Sequence, residues 1–274
     1  MNLSERKRAL DCAKRAAMAA GKLMLKNFRL PKKINEQSRH DIKLELDVRC
    51  QKLIEITLHK SFPKVAFLGE EGCSGDEGAK YRWVVDPIDG TVNFTYEIPH
   101  SCVSIALQKK VAYAKSKTQS RDAAYETLVG VVHDPFCRET WTAIRGQPAF
   151  LNGKEIRTSQ RARLEEAIVS IGFGKSETCV GATLVYFPKL MGRVRKVRIM
   201  GAAALGMVYV ASGRFDAYVE GNIRLWDIAA GGLILECAGG EFWHQAIAGE
   251  HAYRIIANNG LLRCSLERIG KIWS

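Results

Sequence analysis

Three acidic clusters far apart in the chain share one local design, and that design limits the fold more than any other feature. Glu70 and Glu71 come just after the short apolar run Val65–Leu68, and Asp86 and Asp89 just after Trp83–Val85. Asp227 stands at the start of the apolar stretch Trp226–Ala238. The first two runs are too short for a helix and read as buried strands. Carboxylates are thereby delivered to the rim of a hydrophobic core. Gathered there alone they would repel one another and lose hydration, so they imply a cation. Donors that are all oxygen, with no His or Cys among them, select a hard ion such as Mg²⁺.

The run Asp86-Pro87-Ile88-Asp89-Gly90-Thr91 adds detail. Pro87 has no N–H and fixes a turn, which leaves the Ile88 carbonyl to face the ion beside Asp86 and Asp89. Gly90 lets backbone N–H groups approach an anion. Thr91 opens a helix whose N-terminal dipole favours phosphate. An isolated Asp-x-x-Asp-Gly is an ordinary surface turn, and only its combination with the other two clusters makes it a site.

The remaining chain supplies a framework. Apolar positions Leu10, Ala13, Ala17, Ala20, Met24 and Phe28 recur at helical spacing, which predicts an amphipathic helix over Ser4–Phe28, ended by Pro31. A polar segment runs through His40, then Asp41–Asp47 reads as a short extended piece before a second helix. Asp47 is expected to cap that helix, which stops near Pro63. After Pro99, Val103–Leu107, Val111–Ala114, Leu128–His133 and Thr140–Ile144 form a mostly antiparallel meander. Strands at Ala167–Ile171, Phe215–Val219 and Tyr253–Ala257 then alternate with helices at Ala202–Ala211 and Trp226–Ala238, and a helix ends the chain. With no repeat and no flexible linker, residues 1–274 read as one domain, an N-terminal half of about 150 residues packing on the rest.

Composition excludes several classes. The apolar runs stop well short of the roughly 18 residues of a spanning helix, so no membrane segment is expected. The N-terminus lacks an apolar signal core, and a cytoplasmic location is expected. Eight scattered cysteines form no Cys-x-x-Cys pair and read as reduced, mostly buried thiols. Lys plus Arg number 41 against 29 Asp plus Glu, a net charge of +12 that attracts phosphate-rich molecules. The densest run, Lys189–Arg198, holds five cations and no acid. A solvated basic face explains it most simply, with an RNA or transcription-complex partner as the other reading.

The motifs together resemble the inositol monophosphatase family of Mg²⁺-dependent, lithium-sensitive phosphatases. The resemblance is carried by Gly69–Glu71, Trp83–Phe94, Gly146–Lys154 and Leu225–Gly231. It implies an α+β fold, a layered α-β-α-β-α sandwich, and a homodimer. It also implies two or three Mg²⁺ ions. Glu70, Asp86 and the Ile88 carbonyl would hold one, and Asp86, Asp89 and Asp227 another. By the same resemblance Glu70 also places the attacking water, Thr91 activates it and Asp47 polarises Thr91. Gly90 and Thr91 amides would receive the phosphate. Gly201, Ala202, Ala203, Glu220 and Asp227 would contact the substrate.

What the resemblance implies is a phosphomonoesterase for a small polyol or sugar phosphate, myo-inositol 1-phosphate first. 3′-Phosphoadenosine 5′-phosphate, fructose 1,6-bisphosphate and histidinol phosphate are alternatives using the same metal core. Two departures touch specificity. Asp41-Ile42-Lys43-Leu44 stands where many relatives carry Asp-Leu-Val-Thr near an optional third metal, so the motif lacks the threonine, and Lys43 is expected to weaken cation binding there by repulsion. Ala202 stands where relatives often carry Ser or Thr, which removes a hydroxyl from the substrate side.

Overall fold

The computed structural model describes residues 1–37, 42–76, 78–111, 124–174 and 177–269. Helix α1 spans Leu3–Asn27. It starts on a reciprocal cap, in which Asn2 Oδ1 accepts the Glu5 N–H at 2.9 Å and the Glu5 carboxylate accepts the Asn2 N–H at 2.7 Å. Its buried stripe is mainly alanine, small enough to bring the helix close to the sheet beneath.

Strands β1 (Ile34–Gln37) and β2 (Ile42–Leu44) form a small antiparallel ribbon leading into α2 (Glu45–Ser61). Asp47 is the third residue of α2 rather than its N-cap, which is Leu44. Because β2 runs straight to Leu44, the helix begins two residues before Asp47. The Asp47 carboxylate instead reaches back to accept the Leu44 N–H at 2.7 Å.

Then follow β3 (Ala66–Gly69), β4 (Gly72–Ser74), β5 (Tyr81–Asp89), the short helix α3 (Thr91–Thr95), β6 (Cys102–Lys110), β7 (Tyr125–Asp134), β8 (Glu139–Ile144), β9 (Ala149–Leu151) and β10 (Lys154–Ile156). They make one sheet ordered β10-β9-β8-β7-β6-β5-β3-β4, antiparallel except where β3 lies parallel to β5. Of the strand expected at Val111–Ala114, Val111 lies just beyond β6 and the rest lies outside the described residues.

The second half comprises β11 (Ile168–Ile171), α4 (Glu177–Met191), β12 (Lys196–Arg198), α5 (Ala203–Ala211), β13 (Ala217–Arg224), α6 (Leu225–Cys237), β14 (Glu241–Ala246), β15 (Ala252–Asn258) and α7 (Arg263–Arg268). Its sheet is ordered β12-β11-β13-β15-β14, with the first three strands parallel.

Alternation along β5 explains the layering. Trp83 and Val85 point to the face covered by α1 and α2, while Val84 points to the face covered by α5 and α6. Both faces are buried, which is why the run is apolar throughout. The far side of α5 and α6 meets Tyr218, Tyr253 and Ile255 of the second sheet. The outer face of that sheet packs on α4 and α7 through Val169, Ile256, Leu190 and Leu266. The result is the five-layer α-β-α-β-α sandwich.

Among the described residues no helix is long and apolar enough to cross a membrane. The expectation of mostly buried cysteines needs correction. Among the described residues, Cys12, Cys50 and Cys102 are buried free thiols and Cys237 is half-buried, whereas Cys73, Cys137 and Cys264 are exposed on short elements or in the turn after β7.

Candidate metal and phosphate site

The site forms where β5 loses its regularity. Asp86 pairs with Ser104 and Asp89 with Cys102, so the ladder slips between them. In a regular strand residues three apart point to opposite faces. Pro87 cannot donate to the ladder, and the resulting irregularity frees both carboxylates from that rule. Asp86 Oδ1 accepts the Ile88 N–H at 2.9 Å, and the Ile88 carbonyl accepts the Thr91 hydroxyl at 2.9 Å.

Gly90 joins β5 to α3 with φ of +90°, a region that favours glycine. A Cβ there would lie 2.9 Å from the His100 carbonyl oxygen. Thr91 follows as the first residue of α3, whose first-turn amides have no acceptor within the helix.

Asp89 reaches across to the second half of the chain. Its oxygens accept the N–H groups of Ala203 at 3.1 Å and Ala204 at 2.8 Å, at the start of α5, and the Cys102 thiol lies 3.5 Å away. Asp227, in the first turn of α6, accepts the Arg224 N–H at 2.9 Å. The Ser104 hydroxyl donates to the Trp226 carbonyl at 3.0 Å, fastening α6 to β6 beside it.

One oxygen from each of Asp86, Asp89 and Asp227 lies within 4.8 Å of the others, and Asp86 and Asp89 are buried. Electrostatics reports the strain. Burial, then the charges of Glu70, Asp89 and Asp227, hold the Asp86 carboxyl well above the usual carboxylate range. Burial and Asp227 push Asp89 up to about 7, against the pull of its bonds to Ala204, Ala203 and Cys102. Carboxylates packed so closely fit a hard cation, which would cancel the repulsion that raises them.

Glu70 sits on the β3–β4 turn, where its N–H donates to the Val85 carbonyl at 3.2 Å. Gln51 of α2 clamps this turn, accepting the Glu71 N–H at 2.9 Å and donating to the Gly72 carbonyl at 3.1 Å. Asp47 lies four residues before Gln51, on the same helix face, and β2 just before it lies against α3.

Gly201 has φ of +74°, and its carbonyl accepts the Asn93 amide, which also donates to the Met200 and His100 carbonyls. Asn93 thereby ties α3 to the loop before α5. Ala202 and Ala203 are buried, and the Ala203 N–H is directed to Asp89. Glu220 lies on β13 and accepts the Tyr218 hydroxyl. Lys43 pairs with Glu36 across the ribbon at 3.6 Å.

Sequence reasoning missed Gln51, Asn93, Ser104, Cys102 and Tyr218. The four-residue spacing from Asp47 was a usable signal for Gln51. The other four depend on contacts formed by the sheet register or by the packing of the two halves.

Comparison with known proteins agrees with this geometry. The chain matches the inositol monophosphatase family over residues 5–268. It is 39% identical to the Nus factor SuhB of Pseudomonas aeruginosa over 239 residues, 84% of this chain and 83% of that protein. It is 35% identical to the inositol-1-monophosphatase of Rhizobium meliloti, covering 84% and 83%. An IMPase structure from Thermotoga maritima superposes with a TM-score of 0.81 at 32% identity, covering 95% of each chain. Fold, carboxylate cluster and similarity along nearly the whole chain agree, and this chain belongs to the inositol monophosphatase family.

Proposed function

We propose that the protein is a Mg²⁺-dependent phosphomonoesterase acting on a small polyol or sugar phosphate, with myo-inositol 1-phosphate the first candidate. The observation that carries this reading is the set of Asp86, Asp89 and Asp227 oxygens within 4.8 Å. Asp86, Asp89 and Asp227 would hold one ion, and Glu70, Asp86 and the Ile88 carbonyl a second, with a third ion joining in some states. Bound Mg²⁺ supplies neutralisation of phosphate charge and a lowered pKa for attached water.

The protein's own groups do the rest. Gly90 and Thr91 present backbone amides to the phosphate at the start of α3. Glu70 orients the attacking water. The Thr91 hydroxyl, which sits on the Ile88 carbonyl, takes part in its deprotonation, with Asp47 as the polarising carboxylate. Gly201, Ala202, Ala203 and Glu220 line the side where the alcohol portion rests, and Ala203 also orients Asp89. Exposed Leu184, Val185 and Met191 on α4 support a homodimer.

The test is phosphate release from myo-inositol 1-phosphate, 3′-phosphoadenosine 5′-phosphate, fructose 1,6-bisphosphate and histidinol phosphate, with and without Mg²⁺. Preference for a nucleotide or bisphosphate would reassign the substrate within the same chemistry.

A second reading has its own observation. Lys189, Arg193, Arg195, Lys196 and Arg198 are all exposed at the end of α4 and along β12, an edge strand. Together with similarity to proteins named Nus factor SuhB, this supports a transcription-complex or RNA partner for that face. RNA binding that falls steeply with salt and persists in Asp86→Asn would establish it.

A further inference from the structure

Tyr218 and Glu220 stand two apart on β13 and therefore project to the same face, the inner face towards α5 and the acidic cluster. The Tyr218 hydroxyl donates to the Glu220 carboxylate. Two glycines make this arrangement possible. A Cβ on Gly206 of α5 would lie 3.1 Å from the Tyr218 ring, so the ring packs directly on the helix backbone. A Cβ on Gly172, just past β11, would overlap the Glu220 carboxylate. The carboxylate thus rests over bare backbone at the end of a parallel strand pair, where the Gly172 N–H donates to the Val219 carbonyl at 3.0 Å.

Tyr218 is buried and held neutral. Burial first, then the charges of Glu220, Asp89 and Asp227, push its phenol well above the ordinary range. Helix α5, on which the Tyr218 ring packs, also carries the Ala203 and Ala204 amides that hold Asp89. A neutral phenol beside a carboxylate can only donate to it, and a carboxylate can accept from more than one hydroxyl group at a time.

We infer that Tyr218 is a positioning residue for substrate selection: it fixes Glu220, over the gap left by Gly172, as an acceptor for substrate hydroxyl groups. The inference rests on the phosphatase reading above. It makes the Tyr218–Glu220 pair responsible for preferring a polyol phosphate over a phosphate ester with no hydroxyl near the phosphorus. An alcohol portion without hydroxyls makes no use of Glu220, so its hydrolysis is indifferent to how Glu220 is held. A site built to hydrogen-bond a hydroxyl discriminates strongly against ligands that lack one.

The experiment compares myo-inositol 1-phosphate with p-nitrophenyl phosphate at saturating Mg²⁺ in wild type, Tyr218→Phe and Gly172→Ala. Gly172 does not occupy the left-handed region, so alanine fits its backbone, and the atoms its Cβ meets first are those of the Glu220 carboxylate. Expected in both variants is a KM for the inositol ester raised about tenfold, with kcat nearly unchanged. kcat/KM for p-nitrophenyl phosphate should stay within about twofold of wild type. Equal losses on both esters would mean Tyr218 is merely structural, and unchanged kinetics would mean Glu220 needs no support. Either result overturns the inference. If Tyr218→Phe fails to fold, Gly172→Ala decides alone by the same ratio. Wild-type protein that hydrolyses neither ester would defeat the phosphatase reading itself, a separate and recognisable outcome.

Discussion

Asp89 accepts the backbone N–H of Ala204 at 2.8 Å, across 115 residues of chain, and so joins the carboxylate end of the first sheet to the N-terminus of α5 in the second half. The bond satisfies a first-turn amide of α5 while holding one oxygen of the acidic cluster in place. The Asp86 carboxyl is held high by burial first and then by the charges of its neighbours. Stability and function therefore oppose each other at this rim.

That opposition has a pH signature in metal-free protein. Asp89 titrates at about 7 in the fold against an ordinary 3.8, and Asp86 is raised as well. The folded state then binds more protons than the unfolded one between these values, so stability falls as pH rises from about 4 to 7. Asp86→Asn removes one of the repelling charges. Its melting temperature without metal is expected to exceed wild type at pH 8, by about 2–4 °C for each kcal/mol relieved, with the gap closing near pH 4. Mg²⁺ should reverse the order at pH 8 by stabilising wild type. Thermal melts at both pH values, with and without Mg²⁺, check this, and a wild type that is the more stable without metal would refute it.

Gln51 is expected to matter for activity although it touches no ligand. Gln51→Leu deletes both bonds to the turn carrying Glu70 and leaves the Glu71 N–H without its acceptor. A fall in kcat of about tenfold and a higher Mg²⁺ requirement are expected, since a buried bond of this kind is worth roughly 1–3 kcal/mol. Mg²⁺ activation curves measure both, and curves identical to wild type would show the turn to be held by other contacts.

Thr91→Ala should lower kcat roughly 10²-fold, while Thr91→Ser keeps most of the rate because it retains the hydroxyl donated to Ile88. Steady-state kinetics of the two variants separate proton transfer from packing. Equal rates in all three proteins would remove Thr91 from the chemistry.

Lys43 was expected to repel a third cation, but its ammonium faces Glu36 at 3.6 Å. A partly exposed pair of this kind largely cancels its own field. Lys43→Thr is therefore expected to leave the Mg²⁺ activation curve within about twofold of wild type at constant ionic strength. A clearly higher apparent affinity would restore the repulsive role.

Much of this site was legible because strands buried on both faces leave continuous apolar runs, and the acids that end them stand out. Val84 and Asp86 announce β5 in this way. Helix α4 was not legible: it contains Gly181 and Pro188, is followed by Gly192, and owes its place to Tyr186 and Leu190 packing under the second sheet. Strand β1 is exposed at all four residues and leaves no alternation to read. The N-cap expected at Asp47 lies three residues earlier, at Leu44, because local propensity cannot report where β2 ends. Asn93 bonds to Met200, 107 residues away, and no local pattern encodes that contact.

The central claim, that the carboxylates at the rim hold Mg²⁺ for phosphate ester hydrolysis, is tested most directly by phosphate release from myo-inositol 1-phosphate by wild type and Asp86→Asn across a Mg²⁺ series. The expected result is hydrolysis in wild type that requires Mg²⁺, and a loss of more than about 10²-fold in a folded Asp86→Asn, whose charge is shared by both proposed ion positions. Metal-independent release by wild type, or retention of more than about a tenth of its rate by Asp86→Asn at saturating Mg²⁺, would contradict the account.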